Sequence, residues 1–386
     1  MGLAKRVIVY QQFIPHYRKR LFETLLEDSF YDFFLVADLR SGSPFLKPTA
    51  LEQEPRFLQA DTCNICLAAH TLSWQPGVFR HLRTIQPDHI VALGNPNSIT
   101  SWGILLYGLI TSRKVLLWTH GLLRDESGPK WWLRKLFYTL ADGLLLYGDK
   151  AKFLLIQKGI DKHTLYVIYN SLDFETQQSH LKEITEQNLD AFRSRVGAGN
   201  GERVVVFSGR LQANKKLNFL LDSIRILRKR GRIVHVAIIG DGQERAALVQ
   251  QAQSFGLRPQ VHFLGENYDE RFIATVFMAS DLSVIPSGAG LSVIHALGYG
   301  LPVLLHDRPE EHGPEWEAVR EGETGFFYRY GDINDMADKM EGALFPISHK
   351  ERMSEACFAM IRDRYNAAAH AQAIISALKQ VSAQKK

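Results

Sequence analysis

Residues 287–303 read Ser-Gly-Ala-Gly-Leu-Ser-Val-Ile-His-Ala-Leu-Gly-Tyr-Gly-Leu-Pro-Val, directly after an apolar run at 282–285 and Pro286. The pattern predicts a strand, a glycine-rich turn, a helix and a second strand that begins after Pro302. A glycine-rich turn that opens a helix exposes backbone N–H groups at the positive end of the helix dipole, which suits a phosphate. The pattern fits equally a plain strand–helix–strand connection in which the glycines only permit close packing.

The rest of the chain repeats this alternation of short apolar strands and amphipathic helices. The predicted strands are 7–10, 33–37, 89–93, 115–118, 143–147 and 166–169 in the first half, and 204–207, 234–239, 261–264, 282–285 and 303–305 in the second. Short strands separated by helices predict parallel sheets covered on both faces. We therefore expect an α/β protein with two doubly wound, Rossmann-like domains facing across a cleft, and ligands at the carboxyl ends of the strands.

The strand pattern lapses in a polar stretch at 174–202, and a chain of 386 residues favours two domains over one. The prediction is an N-terminal domain at 1–180, a linker at 181–202, a C-terminal domain at 203–365 and a final helix at 366–386 that packs back on the N-terminal domain.

Composition is that of an ordinary soluble globular protein, and the net charge of +5 favours anionic partners. The Lys and Arg residues form no concentrated block, so nucleic acid is not an expected partner. The longest apolar stretch, 102–110, is too short to span a bilayer. Cys63-x-x-Cys66 lacks a second ligand pair and fits free thiols in a reducing compartment. The N-terminus runs straight into the first strand, so we expect a cytoplasmic protein.

Charged residues in the second half fall where two predicted strands end. Arg210 follows Ser208-Gly209, and Lys215 comes just before the next helix. Arg offers a bidentate fork and Lys a point charge, so the pair could clamp a diphosphate, although a solvated basic turn fits the same residues. Gly240-Asp-Gly242 fits a tight turn as well as a binding loop.

In the first half, His120 ends a strand, precedes Gly121 and has Arg124 and Asp125 nearby, which makes it a site candidate beside a purely structural role. Carboxylates also cluster after the strand at 303–305, at Glu310, Glu311, Glu315 and Glu317. They could accept hydrogen bonds from sugar hydroxyls or could be surface charge.

Taken together, the motifs resemble the retaining glycosyltransferases of the GT-B fold, family 4-like, also called glycosyl transferases group 1. The resemblance rests on Gly209-Arg210-Leu-x-x-x-Lys215, Ile239-Gly-Asp-Gly242, Val261-x-Phe-Leu-Gly265, Ala279-Ser-Asp281-Leu-x-Val-x-Pro-Ser287, Gly290-Leu291, Gly300-Leu-Pro-Val303 and Gly322-Glu-Thr-Gly325. The first half is similar more loosely, through His120-Gly121 and Asn170-Ser171.

The resemblance implies that the second half binds a nucleotide-diphosphate sugar and that Arg210 and Lys215 neutralise the diphosphate as it leaves. The implied donor-binding residues are Gly209, Gly240, Gly242, Ser287, Gly290, Leu291, His295 and Glu315. The family needs no metal for this step, and we expect no metal site and no cofactor beyond the donor substrate.

The chain departs from the family at a pair of glutamates spaced eight residues apart. Ser287 and His295 occupy those positions. The first normally contacts the donor sugar and the second the nucleotide ribose. His295 can still hydrogen-bond to a ribose, and the sugar contact is expected from Glu315 or Glu317. Glu317 matches the family's usual Pro-Glu position and is taken as a catalytic residue.

The implied acceptor site lies in the first half, with His120 as the catalytic residue near the reacting sugar. Where the family often has a Gly-Gly turn, this chain has the bulky basic loop 13–20, and His16, Tyr17 and Arg18 are the expected acceptor contacts. Such a loop suits an anionic acceptor, a lipid diphosphate or an acidic glycan. The aromatic and cationic stretch 130–135 fits either a membrane interface or a partly buried helix with a wet face.

The function that this resemblance implies is transfer of a sugar to a glycan or lipid-linked acceptor in bacterial surface polysaccharide or lipopolysaccharide assembly, at the cytoplasmic membrane face. Two alternatives stay open: a nucleotide-sugar-binding protein without turnover, and a nucleotide-sugar epimerase on the same architecture. A Rossmann dehydrogenase is not expected, because no Gly-x-Gly-x-x-Gly follows the first strand.

Overall fold

The computed structural model describes residues 4–40, 49–67, 70–345 and 350–384. The chain divides into two compact units, the first of Met1–Asp173 with Asn366–Lys386 and the second of Phe174–Tyr365. Each unit contains its own parallel sheet with helical connections. The predicted α/β class with two Rossmann-like domains is therefore confirmed.

The first unit contains nine strands and six α-helices within the described ranges. The strands are β1 (Lys5–Tyr10), β2 (Tyr31–Ala37), β3 (Phe57–Gln59), β4 (Cys63–Leu67), β5 (His70–Trp74), β6 (His89–Leu93), β7 (Lys114–Thr119), β8 (Gly143–Leu146) and β9 (Leu165–Val167). The helices are α1 (Lys19–Leu26), α2 (Gly77–Ile85), α3 (Ile99–Thr111), α4 (Gly128–Thr139), α5 (Asp149–Gln157) and, last in the chain, α14 (Ala367–Ala383).

Seven strands of the first unit form one parallel sheet in the order β3-β2-β1-β6-β7-β8-β9. Alternate strand residues point to opposite faces, so the sheet has two apolar cores. Helices α1 and α14 pack on the face that carries Val7, Phe33 and Trp118. Helices α2 to α5 pack on the other face, which carries Ile8 and Leu117. This two-sided burial explains the continuous apolar runs of the strands.

The sequence did not predict β3 or the antiparallel hairpin of β4 and β5. The side chains at 63–66 are exposed, so the first strand of this hairpin has no buried face to set an apolar alternation. Cys63 and Cys66 are both free thiols on it. Long apolar runs therefore revealed the buried strands of this unit, whereas its exposed hairpin had no such signal.

The second unit contains six strands and eight α-helices in the part of the chain that the structure describes. The strands are β10 (Arg203–Ser208), β11 (Val234–Ile239), β12 (Val261–Gly265), β13 (Leu282–Val284), β14 (Val303–His306) and β15 (Gly325–Tyr328), in the parallel order β12-β11-β10-β13-β14-β15. The helices are α6 (Phe174–Glu183), α7 (Glu186–Arg195), α8 (Leu217–Lys229), α9 (Arg245–Ser254), α10 (Glu270–Met278), α11 (Leu291–Gly298), α12 (Ile333–Leu344) and α13 (Lys350–Arg364).

The boundary between the units lies earlier than the predicted end of the first domain at 180. The polar stretch 174–202, of which 181–202 was predicted as a linker, folds into α6 and α7 and belongs to the second unit. Both helices contact α10. Polar composition suggested a linker because these helices bury few residues, Gln177 in α6 and Phe192 in α7.

Helix α14 returns to the first unit. His370 lies fully buried in it, with its ring centroid 5.3 Å from that of Trp118. Its Nδ1 shares a hydrogen bond of 2.9 Å with the Ser171 hydroxyl. The Asn170-Ser171 motif thus contacts the C-terminal helix.

Candidate active site

A cavity of about 300 Å³ lies in the second unit, next to the carboxyl ends of β10 and β13. Five residues predicted for the donor site line it: Gly209, Arg210, Lys215, Gly290 and Leu291. Phe207, Ser208, Gln212, Asn214, Ile285 and Ser292 complete the lining. The carboxyl edge of a parallel sheet is where α/β folds place their ligands, so this cavity is the candidate donor site.

The cationic residues of this cavity are Arg210 and Lys215. The Lys215 ammonium donates a hydrogen bond to the Gly288 carbonyl. Burial lowers the pKa of Lys215, and the positive charge of Arg210 lowers it further. Two cations held close together in a partly buried site favour an anion of more than one charge, such as a diphosphate.

Lys216, the next residue, is directed elsewhere. Its backbone is left-handed, with φ +50°, and its ammonium donates to the Tyr330 hydroxyl at 2.7 Å. The same ammonium lies 4.1 Å from the Tyr330 ring centroid. The sequence Lys215-Lys216 therefore places one cation at the cavity and the other on an aromatic ring of the same unit.

The segment 286–290, which we name the donor loop, is held in place by three hydrogen bonds to its backbone carbonyls. The Tyr328 hydroxyl donates to the Pro286 carbonyl at 2.6 Å. Lys215 donates to the Gly288 carbonyl, and the Gly313 N–H donates to the Ala289 carbonyl at 2.6 Å. The loop ends at Gly290, the residue before α11, so the first turn of that helix faces the cavity in a fixed position.

A buried histidine pair, which sequence reasoning did not find, supports the donor loop. His312 accepts a hydrogen bond from the Ala289 N–H on Nδ1 and therefore carries its proton on Nε2, which donates to the His306 carbonyl at 3.0 Å. The two rings stack with centroids 3.9 Å apart. Burial lowers the pKa of His312, and burial together with the charges of His312, Lys216 and Arg308 lowers the pKa of His306 to about 3.

Three predicted site residues, the donor-binding Ser287 and Glu315 and the catalytic Glu317, are not among the described residues that line the cavity. Ser287 is buried within the loop itself. Glu315 and Glu317 lie on the 3-10 helix Pro314–Ala318, where Glu315 is buried and Glu317 half-buried. A Cβ built on Gly313 would come within 2.8 Å of Glu315 Oε2, and one built on Gly290 within 3.9 Å. The Glu315 carboxylate is therefore next to the loop that opens α11.

His295 is not among the described residues that line the cavity. Its side chain contacts α10 instead. Its Nε2 lies 3.6 Å from Glu270 Oε2, and its ring centroid lies 5.2 Å from that of Phe277. The Tyr299 hydroxyl donates to the same carboxylate oxygen at 2.9 Å. Burial alone would raise the pKa of Glu270, but the neighbouring His295 side chain and the hydrogen bond from Tyr299 lower it below its ordinary value.

Gly240 and Gly242 serve the backbone that carries Arg210. A Cβ on Gly240 would lie 2.0 Å from the Gly209 carbonyl oxygen, and one on Gly242 would lie 2.4 Å from that of Leu211. Their φ values are +134° and +157°. Only glycine permits this close approach of two turns, so both residues hold the Gly209-Arg210 turn without lining the described part of the cavity.

A larger cavity, of about 1120 Å³, lies in the first unit. Three predicted residues line it: Tyr17, Arg18 and His120. The other lining residues are Gln11, Phe13, Pro15, Leu72, Leu93, Gly94, Asn95, Pro96, Asn97, Trp118, Thr119, Gly121, Pro129, Lys130, Leu133, Arg134 and Tyr147. His16 is exposed and is not among them. The lining that the structure describes contains several cations and no carboxylate, which suits an anionic ligand with apolar parts.

His120 and Arg18 are held together by aromatic side chains. The His120 ring centroid lies 4.6 Å from that of Tyr147, whose hydroxyl accepts a hydrogen bond from Arg18. The Arg18 guanidinium also lies 5.1 Å from the Trp118 ring centroid. The His120 side chain is open to the cavity, while crowding by protein atoms and the charge of Arg18 lower its pKa to about 4. At neutral pH the ring is therefore uncharged and can accept a proton or a hydrogen bond.

Within the described ranges, no group of three or more His, Cys, Asp or Glu side chains could hold a metal ion. The helices described there also include none with the length and apolar character needed to cross a bilayer.

Comparison with known proteins identifies the second unit. Residues 202–344 match the family model described as glycosyl transferases group 1. The second unit belongs to the glycosyl transferases group 1 family. The match covers the donor loop, Arg210, Lys215 and the histidine pair, so the resemblance inferred from the motifs is confirmed there.

Relatives and solved structures extend the comparison. A D-inositol 3-phosphate glycosyltransferase of Nocardia farcinica is 36% identical over 206 residues, 51% of this chain and 43% of the relative. The lipopolysaccharide core biosynthesis glycosyltransferase LpsE of Rhizobium meliloti is 29% identical over 156 residues, 39% of this chain and 42% of the relative. The chain thus spans less than half the length of these curated relatives.

The fold resembles that of HepE from Anabaena, solved in complex with UDP, with a TM-score of 0.73 and 19% identity over 97% of this chain and 100% of HepE. Because this similarity extends over both units, it supports the GT-B fold that the motifs predicted.

Proposed function

We propose that the protein is a retaining glycosyltransferase that moves a sugar from a nucleotide-diphosphate sugar to a glycan or lipid-linked acceptor. The observation that carries the proposal is the cavity of the second unit, where Arg210, Lys215 and the first turn of α11 meet inside a glycosyl transferases group 1 domain. The crystal structure of HepE with UDP, on a similar fold, supports a nucleotide-sugar donor.

The proposed chemistry needs stabilisation of negative charge on the departing diphosphate. Arg210 and Lys215 supply positive charge, and the backbone N–H groups after Gly290 supply donors at the positive end of α11. The hydrogen-bonded donor loop holds these groups in place before the reaction. Little free energy is therefore needed to reorganise them when the bond between the sugar and the diphosphate breaks. We therefore propose that the reaction uses no metal and no cofactor beyond the donor.

The retaining outcome rests on the resemblance to family 4-like enzymes. Ser287 and His295 stand where the family has two glutamates, and we propose that carboxylates of the helix at 314–318 take over the negative charge near the sugar. Glu317 is the proposed catalytic carboxylate by its position in the motif. Glu315 is the proposed donor-sugar neighbour because its carboxylate lies beside the donor loop.

We place the acceptor in the cavity of the first unit, with His120 as the proposed base or hydrogen-bond acceptor near its reacting hydroxyl. A lining of apolar residues and cations suits an anionic, lipid-linked glycan. The similarity to LpsE supports a step in bacterial surface polysaccharide or lipopolysaccharide assembly. The free, exposed thiols of Cys63 and Cys66 fit a reducing, cytoplasmic location.

The decisive experiment is a panel of UDP-, GDP- and ADP-sugars, scored by donor-dependent thermal shift and by release of nucleoside diphosphate. One donor should stabilise the protein and be hydrolysed slowly without acceptor, and Arg210→Ala should abolish both effects. No shift and no turnover with any donor would overturn the proposal.

The same panel separates the two alternatives. A thermal shift without nucleotide release, under any acceptor mixture, would indicate a binding protein. Isomerisation of the donor sugar without an acceptor would indicate an epimerase.

A further inference from the structure

The exposed apolar side chains of this protein are concentrated on one layer of helices. Of the twelve large hydrophobic residues exposed in the described part of the chain, eight lie on α3, α4 and α5. We name these eight the α3–α5 surface: Leu106, Leu109, Ile110, Trp132, Leu133, Leu136, Phe153 and Ile156. Ile110 is 74% exposed and Trp132 68% exposed, so these side chains contribute little to the core beneath them. An apolar patch of this extent marks an interaction surface.

The three helices lie side by side. They connect β6 to β7, β7 to β8 and β8 to β9, which are consecutive in the sheet, and each of them contributes buried residues to the same apolar core. The Trp102 and Phe137 rings join α3 to α4 with centroids 4.8 Å apart. Lys135 of α4 donates to the carbonyl of Lys158, just after α5, at 3.2 Å. The exposed apolar residues therefore form one outer surface.

Positive charge accompanies this surface. Residues 99–164, which include all three helices, contain ten Lys and Arg against five Asp and Glu. That excess equals the net charge of +5 of the whole chain. The ammonium of Lys135 lies 5.9 Å from the ring centroid of the exposed Trp132. Tryptophan beside lysine on an apolar helix face is the composition of segments that rest at a membrane interface.

We propose that the α3–α5 surface binds the face of a membrane that contains anionic lipids. Burial of the apolar side chains at the boundary of the acyl chains supplies attraction, and the surrounding Lys and Arg side chains add attraction to the lipid headgroups. A second copy of the chain fits less well, because a twofold contact would bring the same positive patches together.

The surface is continuous with the cavity of the first unit. Leu133 belongs to both, and Pro129 and Lys130 at the start of α4 line the same cavity. A ligand with its tail in the bilayer could therefore place its head group against Arg18 and His120 without leaving the membrane. This placement of the ligand rests on the proposed function. It restricts the class of acceptor to an anionic amphiphile of the membrane.

The binding experiment is sedimentation of the full chain with vesicles of phosphatidylcholine alone, or of phosphatidylcholine mixed with phosphatidylglycerol. We expect binding to the anionic vesicles, weakened by added salt. The Ile110→Ser/Trp132→Ser variant should bind at least about tenfold more weakly, because two exposed side chains no longer insert. Phe30→Ser is the matched control, since Phe30 is also exposed but contacts Lys379 of α14, on the other face of the sheet.

Equal binding of wild type and the double variant, or no binding to anionic vesicles, would overturn the proposal. A dimer in light scattering that Trp132→Ser dissociates, without vesicle binding, would assign the surface to a second copy instead. The donor thermal shift is measured on the same variants and should be unchanged. A wild-type chain that shows the donor shift but does not bind anionic vesicles would contradict the membrane surface alone, whereas a wild-type chain that binds the vesicles but shows no donor shift would contradict the proposed function alone.

Discussion

The backbone N–H of Ala289 donates a hydrogen bond of 3.2 Å to Nδ1 of His312, which joins the donor loop to a buried histidine 23 residues further along the chain. Next to it, the Gly313 N–H donates back to the Ala289 carbonyl at 2.6 Å. The position of the loop, and with it the start of α11, thus depends on a histidine that does not line the described part of the cavity. His312 is a positioning residue.

His312→Ala should loosen the donor loop, because the buried Ala289 N–H loses its acceptor at a cost of about 1–3 kcal/mol. We expect a lower free energy of unfolding by that amount and donor affinity reduced about fivefold or more, measured by calorimetric titration. His312→Asn keeps an acceptor oxygen near the place of Nδ1 and should recover part of the affinity. Full donor affinity in the alanine variant would contradict a positioning role.

Acid should destabilise the second unit through His306. Its pKa falls from the ordinary 6.5 to about 3 in the folded protein, so below pH 6.5 the unfolded chain binds a proton that the folded state does not. The free energy of unfolding should therefore fall as the pH is lowered, by about 1.4 kcal/mol per pH unit between about pH 6 and pH 3.

The measurement for His306 is urea denaturation across this range of pH. His306→Gln should have a shallower dependence on pH than wild type. His163→Gln, a change at an exposed histidine, should leave the slope unchanged. An identical slope in wild type and His306→Gln would rule out this source of acid sensitivity.

Lys215 and Lys216 are adjacent in sequence but make different contacts, so the effects of their substitution on donor affinity can be compared. Lys215→Ala should raise the dissociation constant of the donor by roughly tenfold to a hundredfold, since charge-assisted hydrogen bonds contribute about 1.5–3 kcal/mol. Lys216→Ala removes a contact with Tyr330 and should change donor affinity less than about threefold. Isothermal titration with the donor from the panel tests both. Equal effects of the two changes would mean that the diphosphate does not bind at the cavity of Arg210.

Two glycines of the second unit should respond in opposite ways to the same change. Gly240→Ala puts a methyl group 2.0 Å from the Gly209 carbonyl oxygen at a φ of +134°, and should lower the free energy of unfolding by about 3 kcal/mol or more. Gly342→Ala lies within α12 with no neighbouring atom within 4 Å, and should raise it by about 0.5–1 kcal/mol. Thermal denaturation compares the two. A Gly240→Ala variant as stable as wild type would contradict the close approach of the two turns.

Sequence reasoning found the parts of the site whose signal is local. Glycines and cations at the ends of apolar runs indicated Gly209, Arg210, Lys215 and Gly290, which the structure brings to one cavity. Their backbone chemistry and their position at a strand end can both be inferred from a few neighbouring residues.

Features that depend on distant contacts could not be inferred in this way. His312 acts through a backbone group 23 residues away. His306 and His312 are also close in sequence to the glutamates at 310–317, which were the candidate site residues of this segment. The role of His295 at the donor stays a prediction, and its neighbour Glu270, 3.6 Å away, could not be inferred from the sequence. Polar composition also suggested a linker at 181–202, where a few buried residues are enough to dock α6 and α7 on the second unit.

The return of α14 to the first unit has a consequence for biosynthesis. The chain leaves the first unit after Asp173 and re-enters it at Asn366, so a ribosome makes the entire second unit before it makes the helix that covers Val7 and Trp118. The second unit can fold as soon as its own residues have emerged, while one core of the first unit stays open until α14 has been made. Deletion of α14 therefore damages the unit whose strands are made before the second unit.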